Sequence, residues 1–110
     1  MSEPFDSILT VEVREAPDCT YVCPAGELDV AESGRIEREV DELLDAGCAV
    51  VVLDMRELTF IDSSGVHELL RCLDATRARG SQLALVLEPG PVRRALEVCG
   101  VLELFETRAG

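Results

Sequence analysis

Residues 49–54, AVVVLD, form a continuous apolar run that ends on an acid. A strand exposed on one face alternates apolar and polar residues. One without a polar member is covered on both faces, as an inner strand of a parallel sheet is. A second run, LALVL over residues 83–87, repeats the pattern. Two parallel strands need a crossover between them, and the crossover is usually a helix. The intervening sequence provides one from about Ser64 to Arg79, with Val66, Leu69, Leu70 and Leu73 on its inner stripe and Gly80 at its end.

The same reading extends in both directions. Residues 31–46 predict a helix whose stripe is Ile36, Val40, Leu43 and Leu44, with Gly47 as its C-terminal cap. Pro91 opens a third helix, lined inside by Val92, Ala95, Leu96 and Cys99 and closed by Gly100. Residues 8–15 alternate with period two, Ala16-Pro17-Asp18 is a turn, and residues 19–25 read as the returning strand of a hairpin. Pro24 cannot donate to a ladder, so it is expected at the strand end or on an edge. Gly26-Glu27-Leu28-Asp29 breaks the strand pattern. Residues 55–62 lead through Leu58, with Phe60 and Ile61 as anchors, to a tight turn at Asp62-Ser63-Ser64-Gly65. Residues 101–106 form a last short strand or turn. The order ββαβαβα, then a short β, predicts an α/β fold in one domain over residues 1–110. Its centre is a mixed, mostly parallel sheet of four to five strands with an N-terminal hairpin and three or more helices.

Charge narrows the function. Twenty-two acidic residues face ten basic ones, all arginine, for a formal net charge of −12. Such a surface cannot neutralise a phosphate backbone or an anionic bilayer, so nucleic acid and membranes are not expected partners. A partner with a basic face would be steered toward it. Glu32, Glu37, Glu39, Asp41, Glu42 and Asp45 crowd the first helix as a solvated face, with Arg35 and Arg38 offered to Glu39 and Glu42 at i,i+4. No apolar run is long enough to span a membrane, and the start, MSEPFDSILT, has no basic residue as a signal peptide would. The expected location is cytoplasmic. Five cysteines (Cys19, Cys23, Cys48, Cys72 and Cys99) have no zinc-ligand spacing and read as buried small hydrophobes in a reducing compartment. No metal or cofactor is expected.

In α/β sheets, functional groups gather where strands end and helices begin. Asp62-Ser63-Ser64-Gly65 is the most distinctive such junction here. Asp62 or Ser63 can cap the helix. Gly65 has no side chain, so another surface can approach. A phosphoryl group on a serine there adds about −1.5 to −2 charge. The positive end of the helix dipole tolerates that charge, whereas a partner packed over it would have to bury or solvate a dianion.

The run Leu53-Asp54, Leu58-Thr59-Phe60-Ile61-Asp62-Ser63-Ser64-Gly65-Val66 and Leu69-Leu70 resembles the anti-sigma factor antagonists of the STAS family. Gly26-Glu27-Leu28-Asp29 resembles the family's element after the second strand. Pro91-Val92-Arg93-Arg94-Ala95-Leu96, Gly100-Val101 and Leu104-Phe105 resemble its third-helix region. The resemblance implies a non-enzymatic partner switch. The unphosphorylated form binds an anti-sigma factor that is also a serine kinase, and so releases a sigma factor. The kinase phosphorylates Ser63 with ATP, which blocks binding, and a PP2C-like serine phosphatase reverses the modification. Asp62 orients the Ser63 hydroxyl. Ser64 is its neighbour and not the target. Glu27 and Asp29 lie near the binding surface, with Gly65, Val66 and His67 on or beside the docking helix.

Three other readings touch the same residues. A STAS module that never switches, acting as a scaffold or lipid-transport accessory, fits the same motifs. A serine hydrolase would use Ser63 and His67, four residues apart, but the Gly-x-Ser-x-Gly elbow is absent. A phosphoaspartate receiver would use Asp54 at its strand end, but needs a lysine, and the chain has none.

Overall fold

The two apolar runs lie side by side, paired in parallel from Val50 opposite Gln82 to Asp54 opposite Val86. The structure, a computed structural model, describes residues 9–110. Its strands are β1 (Leu9–Glu15), β2 (Thr20–Leu28), β3 (Val50–Asp54), β4 (Leu58–Ile61), β5 (Gln82–Val86) and β6 (Glu106–Arg108). Its helices are α1 (Arg35–Asp45), α2 (Ser63–Ala78) and α3 (Pro91–Val98). The sheet order is β1-β2-β3-β5-β6, with β4 also paired to β2. Among the described residues only β1 and β2 pair antiparallel. The fold is α/β with a mixed, mostly parallel sheet, as the sequence predicts, but the sheet has six strands among the described residues where four to five were expected. Residue 8, in the expected first strand, lies outside the described residues.

All three helices feed one core. Ile36, Val40 and Leu44 of α1, Val66, Leu69 and Leu73 of α2, and Val92 and Leu96 of α3 pack on Leu53 and Leu85. On the other side of the sheet Val52, Ala84 and Val86 form a smaller cluster with Cys19, Tyr21 and Val50, to which no helix contributes. The runs are therefore buried on both faces, but the second cover is made by strand side chains. Arg14 helps, with its guanidinium 5.1 Å from the centre of the Tyr21 ring.

The strand missing from the sequence reading is β4. It is short, and its two central residues, Thr59 and Phe60, are exposed. One edge of β2 serves two partners in turn: Thr20 to Val22 pair with β3, and Gly26 to Leu28 pair with β4. This division explains Pro24, which sits inside β2 opposite Val11 and not at its end. The Gly26 amide donates to the Glu57 carbonyl at 3.1 Å, toward the β4 side. The nitrogen of Pro24, two residues earlier, faces the same side, in the gap between the two partners, where no ladder bond is lost.

The first helix is shorter than expected. Asp29 caps a 3-10 turn, Val30–Glu32, then Ser33 is extended and Gly34 takes φ 94° before α1 begins. Gly34 offers no side-chain cap. The cap comes from α2, where the fully buried Glu68 accepts from the Gly34 amide at 2.8 Å and from the Glu37 amide at 2.9 Å. Both carboxylate oxygens are used, and two otherwise orphaned N–H groups are satisfied. One helical turn on, Arg71 Nε donates to Glu37 at 3.0 Å. The expected Arg35–Glu39 pair is not the one formed, because Arg35 turns back to Glu32 at 3.1 Å and to the Leu9 carbonyl.

Glu68→Gln keeps the shape of this cap but leaves only one acceptor oxygen. Urea unfolding should show a loss of about 1–3 kcal/mol, the usual cost of an unsatisfied buried donor. Amide exchange at Gly34 or Glu37 should accelerate. Unchanged stability would mean that the cap contributes nothing.

Candidate modification and docking site

The ends of β2 and β4 are neighbours, with Glu27 opposite Phe60 and Leu28 opposite Ile61. Each strand runs into an aspartate that caps the next element. Asp29 accepts from the Ala31 amide at 3.0 Å, and Asp62 from the Gly65 amide at 3.1 Å. The Asp62 amide in turn donates to the Leu28 carbonyl at 3.3 Å. The pairing of β2 with β4 thus brings Glu27 and Asp29 beside Asp62 and Ser63.

Two adjacent serines follow Asp62, and their hydroxyls differ. Ser64 donates to Asp62 Oδ1 at 2.5 Å. Ser63, the first residue of α2, is exposed, and its hydroxyl makes no hydrogen bond among the described residues. The Ser64 hydroxyl, with backbone amides including that of Gly65, holds the Asp62 carboxyl below its ordinary value of 3.8. Asp62 is therefore an anion fixed beside a free hydroxyl.

Gly65 and Val66 are buried. A Cβ at position 65 would stand 2.6 Å from Ile61 Cγ1 and 3.0 Å from Leu28 Cγ and Cδ2. The close approach that this glycine permits is made by the chain's own strands. His67 is exposed one turn into α2, and no hydrogen bond joins it to Ser63 among the described residues. Asp54 is clasped by Arg56 through Nε at 2.9 Å and Nη2 at 2.8 Å, which keeps its carboxyl low.

Sequence reasoning missed the groove beside Ser63. It holds about 380 Å³ between the start of α2 and the outer stripe of α3. Ile61, Val66, Ala95 and Val98 make it apolar, while Asp62, Ser63 and Arg94 are its polar members. Val98 is 78% exposed and Cys99 is also exposed, so Cys99 lines this groove and not the core. Phe60, expected as an anchor, is 44% exposed, and nearby Val30 is 76% exposed. The signal was available in part: Pro91, Arg94, Ala95 and Val98 share a helical stripe next to the buried Val92 and Leu96. Of the five free thiols only Cys72 is buried, and burial pushes its pKa up. Among the described residues no group of three or more His, Cys, Asp or Glu side chains could hold a metal, and no helix is long and apolar enough to cross a membrane.

The model of the STAS domain matches residues 10–109. The chain belongs to the STAS domain family. This STAS domain is 28% identical over 98 residues to the anti-sigma F factor antagonist of Paenibacillus polymyxa, covering 88% of this chain and 84% of that one. Its fold is similar to that of an anti-sigma factor antagonist from Mycobacterium paratuberculosis, with TM-score 0.83, 20% identity and coverage of 100% and 92%. It is similar as well to the phosphorylated form of the Bacillus cell fate determinant SpoIIAA, with TM-score 0.68, 18% identity and coverage of 91% and 92%.

Two outcomes follow for the STAS domain. Gly65→Ala should lower stability by about 1–3 kcal/mol in chemical denaturation, because Leu28 and Ile61 belong to a packed core and cannot retreat freely. Asp62→Ala should cost about 1 kcal/mol at neutral pH through the lost cap. The folded pKa of Asp62 is depressed, so its contribution is present above the unfolded value near 3.8 and lost as pH falls through the folded one. The stability gap between Asp62→Ala and wild type should therefore close in acid, and a gap independent of pH would refute the assignment.

Proposed function

We propose that this STAS domain is an anti-sigma factor antagonist, a cytoplasmic binding protein and not an enzyme, switched by phosphorylation of Ser63. In this reading the unphosphorylated form binds an anti-sigma factor that is also a serine kinase, and a sigma factor is released. Glu27, Asp29, Asp62, Ser63, Ser64 and His67 form or border the docking surface, with Gly65 and Val66 holding it from beneath. The observation that carries the reading is the contrast between the two serines: Ser64 is tied to Asp62, while Ser63 is exposed with its hydroxyl unengaged among the described residues.

The chemistry assigned to Ser63 is a direct transfer. Its Oγ attacks the γ-phosphorus of ATP held by the kinase. The new O–P bond forms as the bond to the ADP oxygen breaks, and the hydroxyl proton passes to a base on the kinase. A PP2C-like phosphatase hydrolyses the ester and restores the hydroxyl. The modification adds about −1.5 to −2 charge at a helix N-terminus, so α2 tolerates it. A partner seated on the apolar side chains around Ser63 does not, since burying an unpaired charge costs several kcal/mol. The net charge of −12 favours a partner that presents basic residues.

Ser63→Ala should bind the cognate anti-sigma kinase as wild type does and take up no phosphate from ATP in an intact-mass measurement. Ser63→Glu should bind about 5–150-fold more weakly, the usual range for such couplings, with an unchanged circular dichroism spectrum. Wild-type affinity in Ser63→Glu would reject the switch. A phosphate that persists in Ser63→Ala would move it to another residue.

A further inference from the structure

The groove beside Ser63 contains a cation with no assigned work. Among the described residues only Arg38 and Arg94 leave a guanidinium without a partner. Arg56, Arg71, Arg79 and Arg108 each hold a carboxylate, Arg35 holds Glu32, Arg77 reaches a carbonyl, and Arg14 lies over Tyr21. Arg38 stands on the acidic outer face of α1. Arg94 is exposed on α3 and lines the same groove as Ser63, while Arg93, one residue before it, is paired with Glu97 at 3.5 Å and faces elsewhere. In a chain of net charge −12, an arginine without an anion, placed across an apolar groove from a free hydroxyl, is an exception that asks for a ligand.

We propose that Arg94 is the counter-charge for a phosphoryl group on Ser63, and that their pairing bridges the mouth of the α2–α3 groove. Arginine suits the task, because its planar fork gives a phosphate two parallel N–H donors and stays charged at every working pH. Among the described residues the only carboxylate lining the groove, Asp62, is occupied by the Ser64 hydroxyl and the Gly65 amide and leaves Arg94 unclaimed. The phosphate would draw the Arg94 side chain from α3 toward α2, over Val66 and Ala95. Phosphorylation would then act twice on a partner: it introduces charge, and it narrows access to the apolar surface between the helices. Nothing in the backbone has to move.

This inference rests on Ser63 as the modified residue but is tested without the kinase or the partner. Phosphoserine is installed at position 63 by genetic encoding, and the phosphate is titrated by phosphorus NMR. The comparison is between the otherwise wild-type chain, Arg94→Gln and Arg93→Gln. Asp62, Asp29, Glu27 and His67 remain in all three, as does the helix terminus, so differences report the arginines alone. The second phosphate pKa should rise by roughly half a unit or more in Arg94→Gln, because an adjacent cation favours the dianion. Arg93→Gln should titrate like the parent. The Arg94 effect should shrink in 1 M salt, where the screening length is about 3 Å. An Arg94→Gln chain that titrates like the parent overturns the proposal, and so do equal shifts in both variants, which would mean a diffuse field. Either result would leave the Ser63 switch standing, and a chain that no kinase modifies would leave this titration unaffected.

Discussion

The carboxylate of Glu68 fixes where the two largest helices sit. A helix that begins on a glycine has no side chain to close its first turn, and the open N–H groups at the start of α1 would otherwise face the interior. Glu68 fills that role from thirty-four residues away, at 2.8 and 2.9 Å. Burying an anion is costly unless its hydrogen bonds are complete, and here both oxygens are in use among the described residues. The cap therefore ties the register of α1 to that of α2. It also holds the turn after β2, with Asp29 and Val30, next to the start of α2, where Asp62 and Ser63 stand.

The local geometry of the site follows from a shared strand edge. Because β2 gives its first half to β3 and its second half to β4, the chain can leave the sheet at residues 55–57 and return. That return delivers Asp62 to the end of β4 beside Leu28. Gly65 then lets the first turn of α2 press on Leu28 and Ile61. Each feature is modest alone. Together they present one free hydroxyl on a firm base, with a fixed anion on one side and an apolar groove on the other.

Much of this was legible in the sequence because the signals were local. The runs at 49–54 and 83–87, the apolar stripes of the three helices and the glycines after them all depend on neighbours in the chain. The junction at Asp62-Ser63 was legible for the same reason, since capping chemistry is written within four residues. What escaped depends on distant partners. Nothing near Pro24 reveals that its nitrogen falls between two strands. Glu68 looks like one more solvated acid until α1 is placed against it. Cys99 and Phe60 are apolar by type, and only the tertiary arrangement turns them outward. Gly65 was read as room for another protein, whereas its room is taken by Ile61. Arg94 was one arginine among ten until the groove gave it a location.

The glycine contact has a further consequence. With Leu28 and Ile61 pressed against position 65, the first turn of α2 has nowhere to relax. A modification at residue 63 would alter what the surface offers while leaving the scaffold in place. For the proposed switch, such a design separates timing from folding. With no backbone rearrangement required between the chemical event and its detection, the tempo of such a response would be set by the modifying enzymes and by the lifetime of the complex.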